Sequence, residues 1–264
     1  MTDRRPNSPE QQKSRNTPRP TPTKRELNRS ARHACTTAGV GILLIAVLAT
    51  FGKFVAVDGL LTSGDAARTA TDITASQGLF RLGIAALSVV VALDVVVAWA
   101  LYRVFSPVST GISLLASWFR LVYAGVLLIA VSHLVEVLRL LGDDQYRAAF
   151  NTDQLQAQAL SGINSFDDVF GAGLLLFGLH LLIVGYLAYR SGYVPKLLGV
   201  VLAVAGLGYV VDSFGAILFR GSWTDVSSFT FIGEFLLALW LVVRGRRLPL
   251  GGRGPHDSPI AAAR

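Results

Sequence analysis

The chain has 264 residues, of which 52% are hydrophobic and 16% charged, and it carries a net charge of +7. Soluble domains average about 25% charged residues, so an interior this apolar calls for lipid rather than water as its covering. The basic residues crowd into the two tails and leave no basic stripe through the apolar middle, which argues against nucleic acid as a partner.

Residues 1–30 are polar, basic and proline-rich, cannot bury a core, and read as a disordered tail. Arg4-Arg5 does not make a twin-arginine leader, because the first apolar run begins more than thirty residues later. An uncleaved first span is expected over residues 37–57, with Lys53 near its far end. The single cysteine, Cys35, precedes it, so no intrachain disulfide can form, and a small buried filler is preferred to a lipid-modified or redox role.

The segment DGLLTSGDAARTATDITASQ follows, where Ser63 or Asp65 can cap a short helix outside the membrane. A second span over residues 80–103 ends at a turn around Pro107. A third, over residues 112–141, makes about 45 Å of helix against a hydrocarbon core of about 30 Å, so its last turns must project. Spans two and three thus form a tight antiparallel hairpin. A polar, acidic connector comes next, with a short helix expected over residues 152–159. Further spans are read over residues 169–189, 196–218 and 228–243, and a second basic tail closes the chain from residue 248. The fold class is an all-α polytopic transmembrane bundle of six spans, its transmembrane domain occupying residues 31–247.

Seventeen Lys and Arg fall on the side of the two termini and six on the other, with Arg120 inside a span. By the positive-inside rule both termini are cytoplasmic, and the expected location is the bacterial inner membrane.

Charge inside a span is expensive, roughly 2.5–3.5 kcal/mol at the centre on insertion scales. Counted from the inner ends of their spans, Asp94 and Arg120 each lie about 14 Å deep and His180 about 15 Å. Three ionisable residues on three helices therefore share one level, and Ser113, Ala116, Ser117 and Ala124 make the Arg120 face small enough for close approach. An Asp94–Arg120 pair with His180 as third member is inferred, serving either as packing glue or as a polar pocket or proton relay. An outer tier is read separately. Asp212 and Glu234 both lie about 9 Å from the outer face, with Lys53 and Arg81 at the outer ends of their spans. The two acids can share Lys53, share a proton or bind a cation, and no sequence feature ranks these.

His133 and His180 differ in depth by about 18 Å, too far for one haem to join them. His133 and Glu136 share a helical face, but nothing completes a metal site, and no cofactor is implied. Gly171, Gly178, Gly185 and Gly192 recur every seven residues, and Gly199, Gly206 and Ser213 repeat the spacing in the next span. Such a stripe predicts a close seam between spans four and five. There is no phosphate-binding loop, nucleophile elbow or metalloprotease helix, so the evidence for an enzyme is thin.

The words GDAARTATDITASQGLFRLGI, ALDVVVAWALYRVFSPVS, SWFRLVYAGVLL, FGLHLLIVGYLAYRSGYVPKLLGVVLAVAGLGYVVDS and IGEFLLALWL resemble the bacterial membrane family catalogued as domain of unknown function 4386, over residues 31–245. Arg81, Asp94, Arg120, His180, Tyr186, Asp212 and Glu234 fall inside these words, and the resemblance assigns them no role. Three readings of function stand: a binder or transporter of a small molecule, lipid or ion with a polar intramembrane core; an intramembrane lipid-modifying enzyme using Asp94, His180, Asp212 or Glu234 as acid or base; or a structural or assembly protein. The partners expected are the lipid bilayer and such a ligand.

Overall fold

A computed structural model describes residues 24–218 and 231–245. Among them the fold is all helix, with no strand. Helix α1 spans Lys24–Thr50 and continues through a π-helical stretch, Phe51–Val57, into a short 3-10 turn, Asp58–Leu60. Then come α2 (Ala66–Ala75), α3 (Gln77–Phe105), α4 (Thr110–Gly142), α5 (Asp144–Ala149), α6 (Thr152–Arg190), α7 (Lys196–Leu218) and α8 (Phe231–Arg244).

Five of the helical segments, Arg32–Leu60, Gln77–Phe105, Thr110–Gly142, Thr152–Arg190 and Lys196–Ala216, are long and apolar enough to cross a membrane. The sixth expected span falls on α8, described over 14 residues, and the start expected for it at residue 228 lies outside the described residues. Trp99, Trp118, Leu128, Ile129 and Val204 are each more than half exposed along these helices. An apolar surface that broad suits lipid, not water.

The α3–α4 hairpin forms where the sequence places it. Ser109 caps α4 by accepting from the Ile112 N–H, and the four residues between the helices leave no slack. Ser113 and Ser117 then donate across the hairpin to the carbonyls of Tyr102 and Ala98, each at 3.1 Å. In hydrocarbon a hydroxyl has no water to turn to, so these bonds fix the two helices face to face.

Helix α6 corrects the sequence reading. In place of a short helix over 152–159 and a separate span from 169, it runs unbroken for 39 residues, about 58 Å. No proline interrupts it, and Asn151 and Gln154 close a reciprocal capping box at its start, two bonds that anchor its first turn. Its polar first half still carries an apolar stripe, Leu155, Ala159, Ile163 and Phe166, at helical spacing and fully or nearly buried. Gly162 on that half lets α4 approach, since a Cβ there would stand 2.7 Å from Val137 Cγ2. The short helix α2 also packs on α6, capped by Asp65, whose carboxylate accepts from the Arg68 N–H at 2.8 Å.

On its other side α6 meets α7 along the glycine stripe. A Cβ on Gly178 would lie 2.7 Å from the Gly206 carbonyl oxygen, and one on Gly185 would lie 2.7 Å from Gly199 O and from Ala203 N. Ser213 donates to Gly171 O at 3.3 Å. The pairs 171–213, 178–206 and 185–199 form one antiparallel register, backbone against backbone at the two glycine pairs and hydroxyl to carbonyl at the first. Gly192, with φ of +71°, makes the turn between the two helices, where a side chain would be strained.

One end of the bundle gathers several segments. Tyr193, in the α6–α7 turn, donates its hydroxyl to Val104 O at 2.7 Å and stacks on Phe105 at the end of α3. At the C-terminal end of α8, Gly245 lies against Cys35 of α1. Burial holds the Tyr193 hydroxyl well above its usual phenolic pKa, so it acts as a donor throughout the ordinary pH range.

Candidate functional site

Arg120 is fully buried, and its position follows from its neighbours on α4. Ser113, Ala116, Ser117 and Ala124 are all buried on the same face, leaving room for a guanidinium between helices. Three acceptors from three other helices meet it. Asp94 of α3 offers Oδ1 to Nε at 2.8 Å and to Nη2 at 2.7 Å, the latter off the hydrogen-bond line. Glu234 of α8 offers Oε1 to Nη1 at 2.5 Å. His180 of α6 places Nε2 3.3 Å from the same Nη1.

The histidine tautomer follows from these bonds. His180 Nδ1 lies 2.8 Å from Ala116 O, and a carbonyl can only accept, so Nδ1 carries the proton. A guanidinium can only donate, so Nε2 presents its lone pair. The ring is therefore neutral and acts as an acceptor toward Arg120.

Aromatic rings close the site. The Arg120 guanidinium sits 5.4 Å from the Phe177 ring centroid, a cation–π distance. Phe177 in turn packs on His180, on Tyr123 at 5.0 Å and edge-on against Tyr209 of α7 at 5.5 Å. Asp94 is 1% exposed, and among the described residues its Oδ2 has no hydrogen-bond donor. Glu234 is the cluster member with surface, at 13% side-chain exposure.

The structure thus brings Asp94, Arg120 and His180 together and adds Glu234, which depth counting places in a separate outer tier. Counting compares Cα levels. Glu234 at about 9 Å from one face and Arg120 at about 14 Å from the other leave a gap of about 7 Å in a 30 Å core, and an extended arginine side chain covers it.

The remaining members of that expected tier lie on separate elements. Lys53, carried by the π-helical stretch of α1, ion-pairs with Asp58 and, at 3.1 Å, with Asp167 of α6, and lies over the Phe166 ring at 5.8 Å. Arg81 is exposed at the start of α3. Asp212 is buried on α7 beside Ser213. Residue order alone does not single out Asp58 or Asp167 as partners of Lys53. The signal is the lysine itself, since a cation near the end of a span needs an anion within reach. Among the described residues, no group of three or more His, Cys, Asp or Glu is arranged to hold a metal ion, His133 and Glu136 included.

The model of the family described as Domain of unknown function (DUF4386) matches residues 37–245. An "Uncharacterized protein" of Archaeoglobus fulgidus is 34% identical over 165 residues, covering 62% of this chain and 85% of that protein. No solved structure matches the chain.

Proposed function

We propose, from the premise that the chain belongs to this family of membrane-helix proteins without an established activity, that it is a six-span binder or transporter of a small polar solute or ion. The observation that carries the reading is the surplus acid at Arg120: one guanidinium faces two carboxylates, Asp94 and Glu234, while His180 is neutral. A pair that served packing alone would be complete with one carboxylate, and a second buried acid adds desolvation cost without need. Ionisable groups that persist inside a bundle in excess of mutual neutralisation mark solute and ion pathways.

Topology supports the same reading. On the six-span reading, the N-terminal part of α1, the α3–α4 turn, the α6–α7 turn and the C-terminal end of α8 share the side with seventeen of the Lys and Arg, against six on the opposite side. Contacts between Gly245 and Cys35 and between Tyr193 and Val104 are those expected of ends sharing one face. On this basis both termini are cytoplasmic, in a bacterial inner membrane.

The test is a thermal-shift screen of the protein in lipid nanodiscs against inorganic cations, amines, carboxylates and phosphate esters. At least one class should stabilise the wild type and lose that effect in Glu234→Gln. If no class stabilises the wild type, while Asp94→Asn and Glu234→Gln each lower its thermal stability, the cluster is packing glue and the proposal fails.

A further inference from the structure

The surplus acid has a chemical identity that follows from where it sits. With both acids ionised, the cluster would hold one net negative charge among groups that are nearly or wholly buried: Arg120 at 0% exposure, Asp94 at 1% and His180 at 1%. A lone charge in a low-dielectric interior is neutralised rather than tolerated. Two neutralising species are available, a metal cation or a proton. A metal ion needs several oxygens converging on one point, about six for Mg²⁺ or Ca²⁺. Here the guanidinium itself fills the centre between the carboxylates, and the described residues present no other group of metal ligands. A proton needs one oxygen only.

We infer that Asp94 and Glu234 together hold one exchangeable proton, and that the site is a proton-binding centre inside the membrane. The step is simple in its balance: a proton from the aqueous phase forms one O–H bond on a carboxylate oxygen, nothing leaves, and the cluster goes from one negative charge to none. Glu234 provides the way in, because it alone of the four has exposed surface. Asp94 Oδ2, which no donor among the described residues reaches, is an oxygen still open to a proton.

Among the described residues, the titratable and charged groups around the pair fit a single proton. From α4, Arg120 is the fixed cation in contact, and Tyr123 packs behind it on Phe177. From α6, His180 has its Nδ1–H committed to Ala116 O and its Nε2 to Arg120, so it has no site for a second proton without breaking a contact. From α7, Tyr209 stands edge-on to Phe177, with Asp212 one turn further along the helix. The cation of α1, Lys53, is already engaged with Asp58 and Asp167.

This inference rests on the reading of the cluster as a solute or ion site and names the ion. Infrared spectroscopy of the protein in nanodiscs tests it through the C=O stretch of a protonated carboxylic acid, which is resolved from carboxylate bands. At neutral pH the wild type should show one such band, shifting in D₂O. Asp94→Asn and Glu234→Gln should each abolish it, because either amide leaves a single carboxylate balanced against Arg120. Each variant decides by itself, so one that fails to accumulate does not block the test. A wild type without the band, or a band that survives in either variant, overturns the proton. The solute-site reading fails on a different result, a wild type that shows the band yet is stabilised by no solute.

Discussion

His180 Nδ1 and the carbonyl oxygen of Ala116 lie 2.8 Å apart, four residues before Arg120 on the same helix. The bond holds the imidazole edge-on to the guanidinium, with its lone pair aimed at Nη1. In ¹⁵N NMR the His180 ring should therefore show a protonated Nδ1 and an unprotonated Nε2. A ring with the reverse tautomer would contradict the arrangement. His180→Phe keeps the ring volume but offers Arg120 no acceptor, with an expected loss of about 1.5–3 kcal/mol, the usual worth of a hydrogen bond to a charged group.

Arg120 should be the least replaceable residue of the bundle. Arg120→Leu removes the common partner of Asp94 and Glu234 and should cost about 3–5 kcal/mol, as breaking buried ion pairs does. Arg120→Lys keeps the charge but not the planar fork that reaches Asp94 and Glu234 at once, so it should recover only part of that loss. Unfolding in mixed detergent, followed by circular dichroism, measures both.

The glycine seam predicts a contrast between two members of one stripe. Gly185→Ala puts a methyl group against Ala203 N and Gly199 O, both backbone, which cannot step aside without separating α6 from α7. Overpacking of this kind costs about 1–3 kcal/mol. Among the described residues no atom lies within 4 Å of the place a Cβ on Gly171 would take, so Gly171→Ala should be neutral or slightly stabilising through better helix propensity. Equal effects of the two would show that the seam does not close as described.

The N-terminal half of α6 supports two tests of its own. Asn151→Ala removes the capping box and should cost about 1 kcal/mol, read as faster hydrogen exchange over the first turns of the helix. Phe166→Ala, further along the same stripe, should cost about 3–5 kcal/mol and loosen the packing of this half of the helix.

Much of this molecule is legible in its sequence where hydrophobic length and small-residue periodicity act alone. The α3–α4 hairpin, the glycine register and the level shared by Asp94, Arg120 and His180 all follow from counting residues along straight helices. Legibility ends where a long side chain or a missing breaker decides. Glu234 falls into the wrong group when its level is compared with the Cα of Arg120 and not with the guanidinium. Residues 152–168 read as a connector because their hydropathy is low, although Leu155, Ala159, Ile163 and Phe166 keep helical spacing and no proline stops the helix. Helix α6, packed against α4 on one side and α7 on the other, is the element on which the bundle is built.

The order in which the cluster's residues leave the ribosome has its own consequence. Asp94 and Arg120 are 26 residues apart on adjacent helices joined by a tight turn, so the hairpin can enter the bilayer as a unit whose two charges already cancel. Glu234 follows 114 residues after Arg120 and docks on a completed pair. A shortened chain ending before α8 would then integrate in a balanced state, and the second acid would arrive only with α8.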